Sequence, residues 1–84
     1  MTPIELDGVR DVLKTSLQGR GDLTPVADNE SLFVSGRLDS LAMIGLITYL
    51  EQAFGIDFGV LDFDVGMVDS LANIASLVDI ERRR

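Results

Sequence analysis

The sequence predicts an all-α fold, a small four-helix bundle made of three main helices plus a short third helix. Three observations predict it. Apolar residues recur at steps of three and four in three separate stretches, the spacing of one face of a helix. Each stretch opens near a residue that caps helices well: Thr2, Asp39 and Asp69. Two of the stretches close on glycines, Gly19 with Gly21 and then Gly55, while the third runs into Arg82-Arg83-Arg84.

The first helix starts at Thr2-Pro3-Ile4-Glu5. Thr2 caps, Pro3 occupies the first turn, and Glu5 completes a capping box. Leu6, Val9, Leu13 and Leu17 follow on one side, and Val12 widens the stripe. A core face is the expected role of that stripe; a groove-binding helix for a partner is the alternative. Residues 20–38 form a long connection rich in Gly, Asp, Asn, Ser and Pro, in which Thr24-Pro25 favours extended backbone. A connection this long in a compact domain needs a function or its own anchors, and Val26, Leu32 and Phe33 are the candidate anchors.

The second helix is the longest uninterrupted one. Asp39 caps it, Ser40 to Phe54 contains no proline, and Leu41, Ile44, Ile47, Leu50 and Phe54 define its expected inward face. Ser40 falls in its first turn. There the free backbone N–H groups and the positive end of the helix dipole favour an anionic group, so a serine can carry a phosphate diester at low electrostatic cost. Gly55 to Gly66 reads as a turn with the short third helical segment near Leu61 to Val65. Asp62-Phe63-Asp64 resembles the start of a calcium loop, but position 5 is Gly66 and position 12 is Asn73, which leaves the oxygen ligands incomplete. The last helix is expected to begin at Asp69, with Leu71, Ile74, Leu77 and Val78 inward and Ala75 allowing close approach.

Composition excludes several function classes. The 84 residues form one expected domain, 1–84, with Arg82–Arg84 as a frayed tail that complements the C-terminal end of the last helix. There is no cysteine and no histidine, so disulfides, thiolate metal sites and a Ser–His–Asp arrangement are impossible. Net charge is −7, which argues against nucleic acid and for basic patches on protein partners. No apolar run approaches the roughly 20 residues of a membrane span. No signal-peptide layout opens the chain, so a cytoplasmic setting is expected.

The run Leu32-Phe33-Val34-Ser35-Gly36-Arg37-Leu38-Asp39-Ser40-Leu41, with the following Leu50-Glu51-Gln52-Ala53-Phe54-Gly55-Ile56, resembles the acyl carrier proteins and the related peptidyl and aminoacyl carrier domains. Their signature is Asp-Ser-Leu, or a close variant, after a glycine and at the start of the second helix. The resemblance covers most of the chain in length and layout. It implies that 4′-phosphopantetheine, taken from coenzyme A, is joined covalently to Ser40, with Asp39 and Leu41 flanking it. Asp69-Ser70-Leu71 repeats the tripeptide, but it opens the final helix, where the family has no attachment point, so Ser70 is expected to be a polar residue of a first turn. For Ser40 the same modest role is the alternative.

The resemblance further implies a carrier rather than an enzyme. A monomer would tether an acyl or aminoacyl group as a thioester, in lipid or secondary-metabolite biosynthesis. Its expected partners are a phosphopantetheinyl transferase, an acyl- or aminoacyl-adenylate ligase, and a downstream acyltransferase or synthase. The fatty-acid type carries acids on the outward side of its second helix; here no acid follows Ser40 before Glu51. That is closer to peptidyl, D-alanyl, aminoacyl and stand-alone carriers. It suggests an apolar docking patch that includes Ala42, Met43 and Gly45. Gly45 has an alternative role, relief of crowding against the preceding loop. A small acidic helical adaptor without a prosthetic group is the competing function.

Overall fold

The computed structural model describes residues 1–59 and 63–83. Helix α1 spans Pro3–Gln18, α2 spans Ser40–Phe54 and α3 spans Leu71–Arg82, with one 3-10 turn at Val65–Met67 ahead of α3. No strand occurs among the described residues. The expected third helical segment, Leu61 to Val65, lies partly at Leu61 and Asp62, outside the described residues. Phe63 and Asp64 are not helical, and the described turn falls later, where the Asp64 side chain accepts from Gly66 N and caps it. Only Val68 to Ser70 separate that turn from α3, which leaves no room for a longer helix.

α1 forms as its sequence predicts. The Thr2 side chain accepts from Glu5 N and the Glu5 carboxylate accepts from Thr2 N, so the capping box is complete. Val9, Leu13 and Leu17 are buried, and Leu6 and Val12 pack against the same core. α3 contributes Leu71, Ile74, Leu77 and Val78, again as expected. Its cap differs. Ser70, not Asp69, is the N-cap, and its hydroxyl accepts from Asn73 N at 3.1 Å. Asp69 turns its carboxylate back to the long connection instead.

α2 is rotated from the expected face. Leu46 and Leu50 are fully buried and Ala42, Tyr49 and Phe54 pack beside them, whereas Leu41 is 77% and Ile44 63% exposed. The helix is apolar on nearly every side, so steps of three and four can be drawn along two faces. Packing against α1 and the connection selects between them. α1 and α2 come close at Gly8, where an added Cβ would collide with the Tyr49 hydroxyl. α3 is helical through Arg82. The Arg82 guanidinium pairs with Glu5 of α1 and lies 5.0 Å from the centroid of the Phe54 ring. Arg84 lies outside the described residues.

Candidate functional site

Residues 20–38 run across the bundle as an anchored segment. Leu32 and Leu38 are buried and Val26 and Phe33 pack against the core, so the three expected anchors hold and Leu38 joins them. Two polar hubs fix the backbone between these anchors. At the first, the Arg37 guanidinium donates to Asp22 Oδ2 at 3.0 Å, to Glu30 Oε2 at 2.6 Å and to the carbonyls of Thr24 and Pro25. The Arg37 hydrogen bonds hold the Asp22 carboxyl down at about 2 and pull Glu30 below the ordinary carboxylate range. Arg20 in turn donates to the Arg37 carbonyl at 2.7 Å.

At the second hub, Asp69 Oδ2 accepts from Ser31 Oγ at 2.5 Å, and Oδ1 accepts from Phe33 N and Val34 N at 2.7 and 2.9 Å. Burial works to raise this carboxyl, but the hydrogen bonds from Ser31 and the loop backbone outweigh it and hold it low. The segment then turns at Gly36, whose φ of +81° suits glycine, and Leu38 N donates to Leu32 O at 2.7 Å. Neither hub is visible in periodicity. The available signal is that Arg37 is the only base between Asp22 and Asp39, among acids that need a partner.

This frame delivers Asp39 and Ser40 to the surface. Asp39 is extended and its carboxylate accepts from Ala42 N at 3.0 Å, so it caps α2 as predicted. Ser40 is the first residue of the helix. It is exposed, and its hydroxyl makes no hydrogen bond among the described residues. Beside it lies an open depression of about 280 Å³ lined by Phe33, Val34, Leu38, Asp39, Ser40, Met43 and Val65. A phosphate diester on Ser40 would sit against the free N–H groups and dipole of α2, with an apolar surface next to it for an attached chain. These residues fit such a group.

Ser70 sits in the same tripeptide with the opposite surroundings. It is 5% exposed, and its hydroxyl both accepts from Asn73 N and donates to Asn73 Oδ1 at 2.7 Å. The two copies of Asp-Ser-Leu thus differ in which residue caps: the acid at α2, which leaves Ser40 free, and the serine at α3, which occupies Ser70.

The residues proposed for docking fall in different places. Leu41 points outward next to Ser40. Ala42 is half-buried and packs against the core, and Met43 is half-buried at the depression. Gly45 is exposed with nothing within 4 Å of an added Cβ, so it relieves no crowding. The large apolar side chains on the outer surface here are Leu41, Ile44 and Val34, the last 72% exposed; helical spacing predicts Leu41 and Ile44 inside, and the structure turns them outward.

A family model described as a phosphopantetheine attachment site matches residues 7–80. No curated protein and no solved structure matches the chain.

Proposed function

We propose that this chain, which belongs to the phosphopantetheine attachment-site family, bears its arm on Ser40 and works as a single carrier domain for an acyl or aminoacyl group. The family is the site of covalent 4′-phosphopantetheine attachment, and its carrier domains are typically non-catalytic. The observation that carries the assignment to Ser40 is the contrast between its free, exposed hydroxyl and the buried, doubly hydrogen-bonded hydroxyl of Ser70.

In the attachment step the Ser40 oxygen forms a bond to the phosphorus of coenzyme A that bears the pantetheine. The bond from that phosphorus to the oxygen of the leaving 3′,5′-adenosine bisphosphate breaks, and the hydroxyl proton passes to a base of the transferase. The product would be a phosphodiester on Ser40, whose negative charge the positive end of the α2 dipole would favour. When bound, the arm supplies a terminal thiol that holds cargo as a thioester. Tethering then raises the cargo's effective concentration at each partner active site.

The partners of this reading are a phosphopantetheinyl transferase, an adenylate-forming ligase and a downstream acyltransferase or synthase. Leu41, Ile44 and Gly45, with Val34 across the serine, form the docking face, and the net charge of −7 steers basic surfaces toward it. Among the described residues no helix is long and apolar enough to cross a membrane, and the reading places a monomeric carrier in the cytoplasm.

The test uses the apo protein with coenzyme A, Mg²⁺ and a broad-specificity transferase. Intact mass should rise by one phosphopantetheine. Ser40→Ala should abolish the gain and Ser70→Ala should keep it, with tandem mass spectrometry locating the arm. An arm on Ser70 refutes the assignment, and no gain at all favours the adaptor.

A further inference from the structure

The structure assigns to Asp69 a role as the positioning residue for modification of Ser40, an inference that rests on Ser40 being the attachment residue. Asp69 lies thirty residues after Asp39 at the same place in the repeated tripeptide, where an Asp is among the best helix caps. It does not cap. Ser70 takes that role, and the Asp69 carboxylate is left to hold the other side of the molecule.

What it holds is the segment that leads to Ser40. Its two oxygens accept from Ser31 Oγ, Phe33 N and Val34 N, and its own carbonyl accepts from Leu32 N at 2.7 Å. The whole run Ser31 to Val34 therefore hangs on one residue at the start of α3. A second cross-link, Ala72 N to Asp28 O at 2.9 Å, keeps the segment and α3 in register. From this run the chain reaches Asp39 by short internal steps. Ser35 Oγ donates to Ser31 O at 2.7 Å, Gly36 N to Phe33 O at 3.0 Å, and Leu38 N to Leu32 O at 2.7 Å. Phe33 and Val34, whose amides Asp69 holds, are also walls of the depression beside Ser40. Asp69 touches neither Ser40 nor any residue of α2 by a hydrogen bond. It acts through the loop, by fixing where the serine is presented and which apolar surface stands next to it.

A carboxylate suits this task better than a neutral group. Two backbone N–H groups and a hydroxyl converge on it, and hydrogen bonds to an ionised acceptor are shorter and stronger than neutral ones. Asn can still accept from Phe33 N and Val34 N through its amide oxygen, but it loses the charge. Ala leaves both amides and the Ser31 hydroxyl without their partner. Asp39 continues to cap α2 in either variant, so the helix and the nucleophile remain while the approach to them loosens.

The experiment measures transfer of phosphopantetheine to apo protein as a function of carrier concentration, well below every melting temperature. It compares the parent, Asp69→Ala, Asp69→Asn, Ser31→Ala and Val78→Ala. Val78 is a fully buried α3 residue outside both hubs, and its variant controls for lost stability alone. Asp69→Ala should lower kcat/KM by at least about tenfold, because small misplacements of a reacting group cost rate steeply. Asp69→Asn should recover most of that loss, and Val78→Ala should transfer at the parental kcat/KM. Amide exchange at Phe33 and Val34 should accelerate in Asp69→Ala but not in Val78→Ala. Parental kinetics in Asp69→Ala, or a loss matched by Val78→Ala at equal melting temperature, overturns the role. If Asp69→Ala does not fold, Ser31→Ala decides: a lowered kcat/KM with faster exchange at Phe33 and Val34 supports the role, and parental values overturn it. Mapping the arm in the parent separates the two claims. An arm on Ser40 with unaffected kinetics removes only the role of Asp69, whereas an arm on Ser70 removes both.

Discussion

Gly45 stands on the exposed side of α2 in helical backbone, with open space where a Cβ would sit. A methyl group there meets no neighbour and no strain. Gly45→Ala should therefore stabilise the apo protein by about 1 kcal/mol, read as a higher melting temperature. A lower one would mean that the glycine serves the fold after all. Arg37 is the opposite case, a side chain whose contacts no periodicity announces. Periodicity locates residues on an element's face, but Arg37 reaches Asp22 across fifteen residues and Glu30 across seven, between stretches of irregular backbone. Arg37→Gln should lower the melting temperature and accelerate amide exchange through residues 22–38 while leaving α1 protected. Uniform protection in that variant would show that the apolar anchors alone hold the connection.

At the scale of the element, legibility follows amphipathicity. α1 was readable because Asp7, Asp11 and Lys14 leave one side for Val9, Leu13 and Leu17. α2 was readable in its cap, length and closing glycine, yet not in its rotation, because a helix apolar all round does not say which side is inward. The start of α3 was ambiguous for another reason. Asp69 and Ser70 are both strong caps, and the choice depends on the loop that claims Asp69 from outside the helix. The observed rotation separates two classes of α2 variant. Leu46→Ala should cost about 2–5 kcal/mol, as for a large side chain removed from a packed core. Leu41→Glu and Ile44→Glu should keep the parental circular dichroism and melting behaviour and raise the apparent KM of the cognate ligase for the carrier. Loading at the parental rate by both folded variants would move the docking face elsewhere, with the segment around Val34 as the next surface to test. Ala42→Glu does not belong in this set, since Ala42 packs against the core.

For the whole molecule, charge sets the conditions of stability. With 14 acids against 7 bases, repulsion is screened by salt, so the melting temperature of the apo protein should rise from low to moderate NaCl. A flat or falling curve would show that the ion pairs at Arg37 and Arg82 matter more than the repulsion. Acid acts in the other direction. Arg82 and the Thr2 backbone hold Glu5 at about 2, and Arg37 does the same for Asp22. Each is depressed in the folded state, so its contribution is present above the ordinary carboxylate pKa and fades as pH falls toward 2. Stability should hold from pH 7 to 5 and decline between about 4.5 and 2, and Arg82→Gln should flatten part of that decline. The Glu5–Arg82 pair has one more consequence, in time rather than in stability. It joins residues 77 apart in sequence. Ordering so long a stretch costs entropy before the contact returns anything, so the pair should form after the barrier to folding is crossed. Stopped-flow measurements on Arg82→Gln should then show faster unfolding with an unchanged folding limb, and slowed folding would instead place this contact between α1 and α3 in the nucleus.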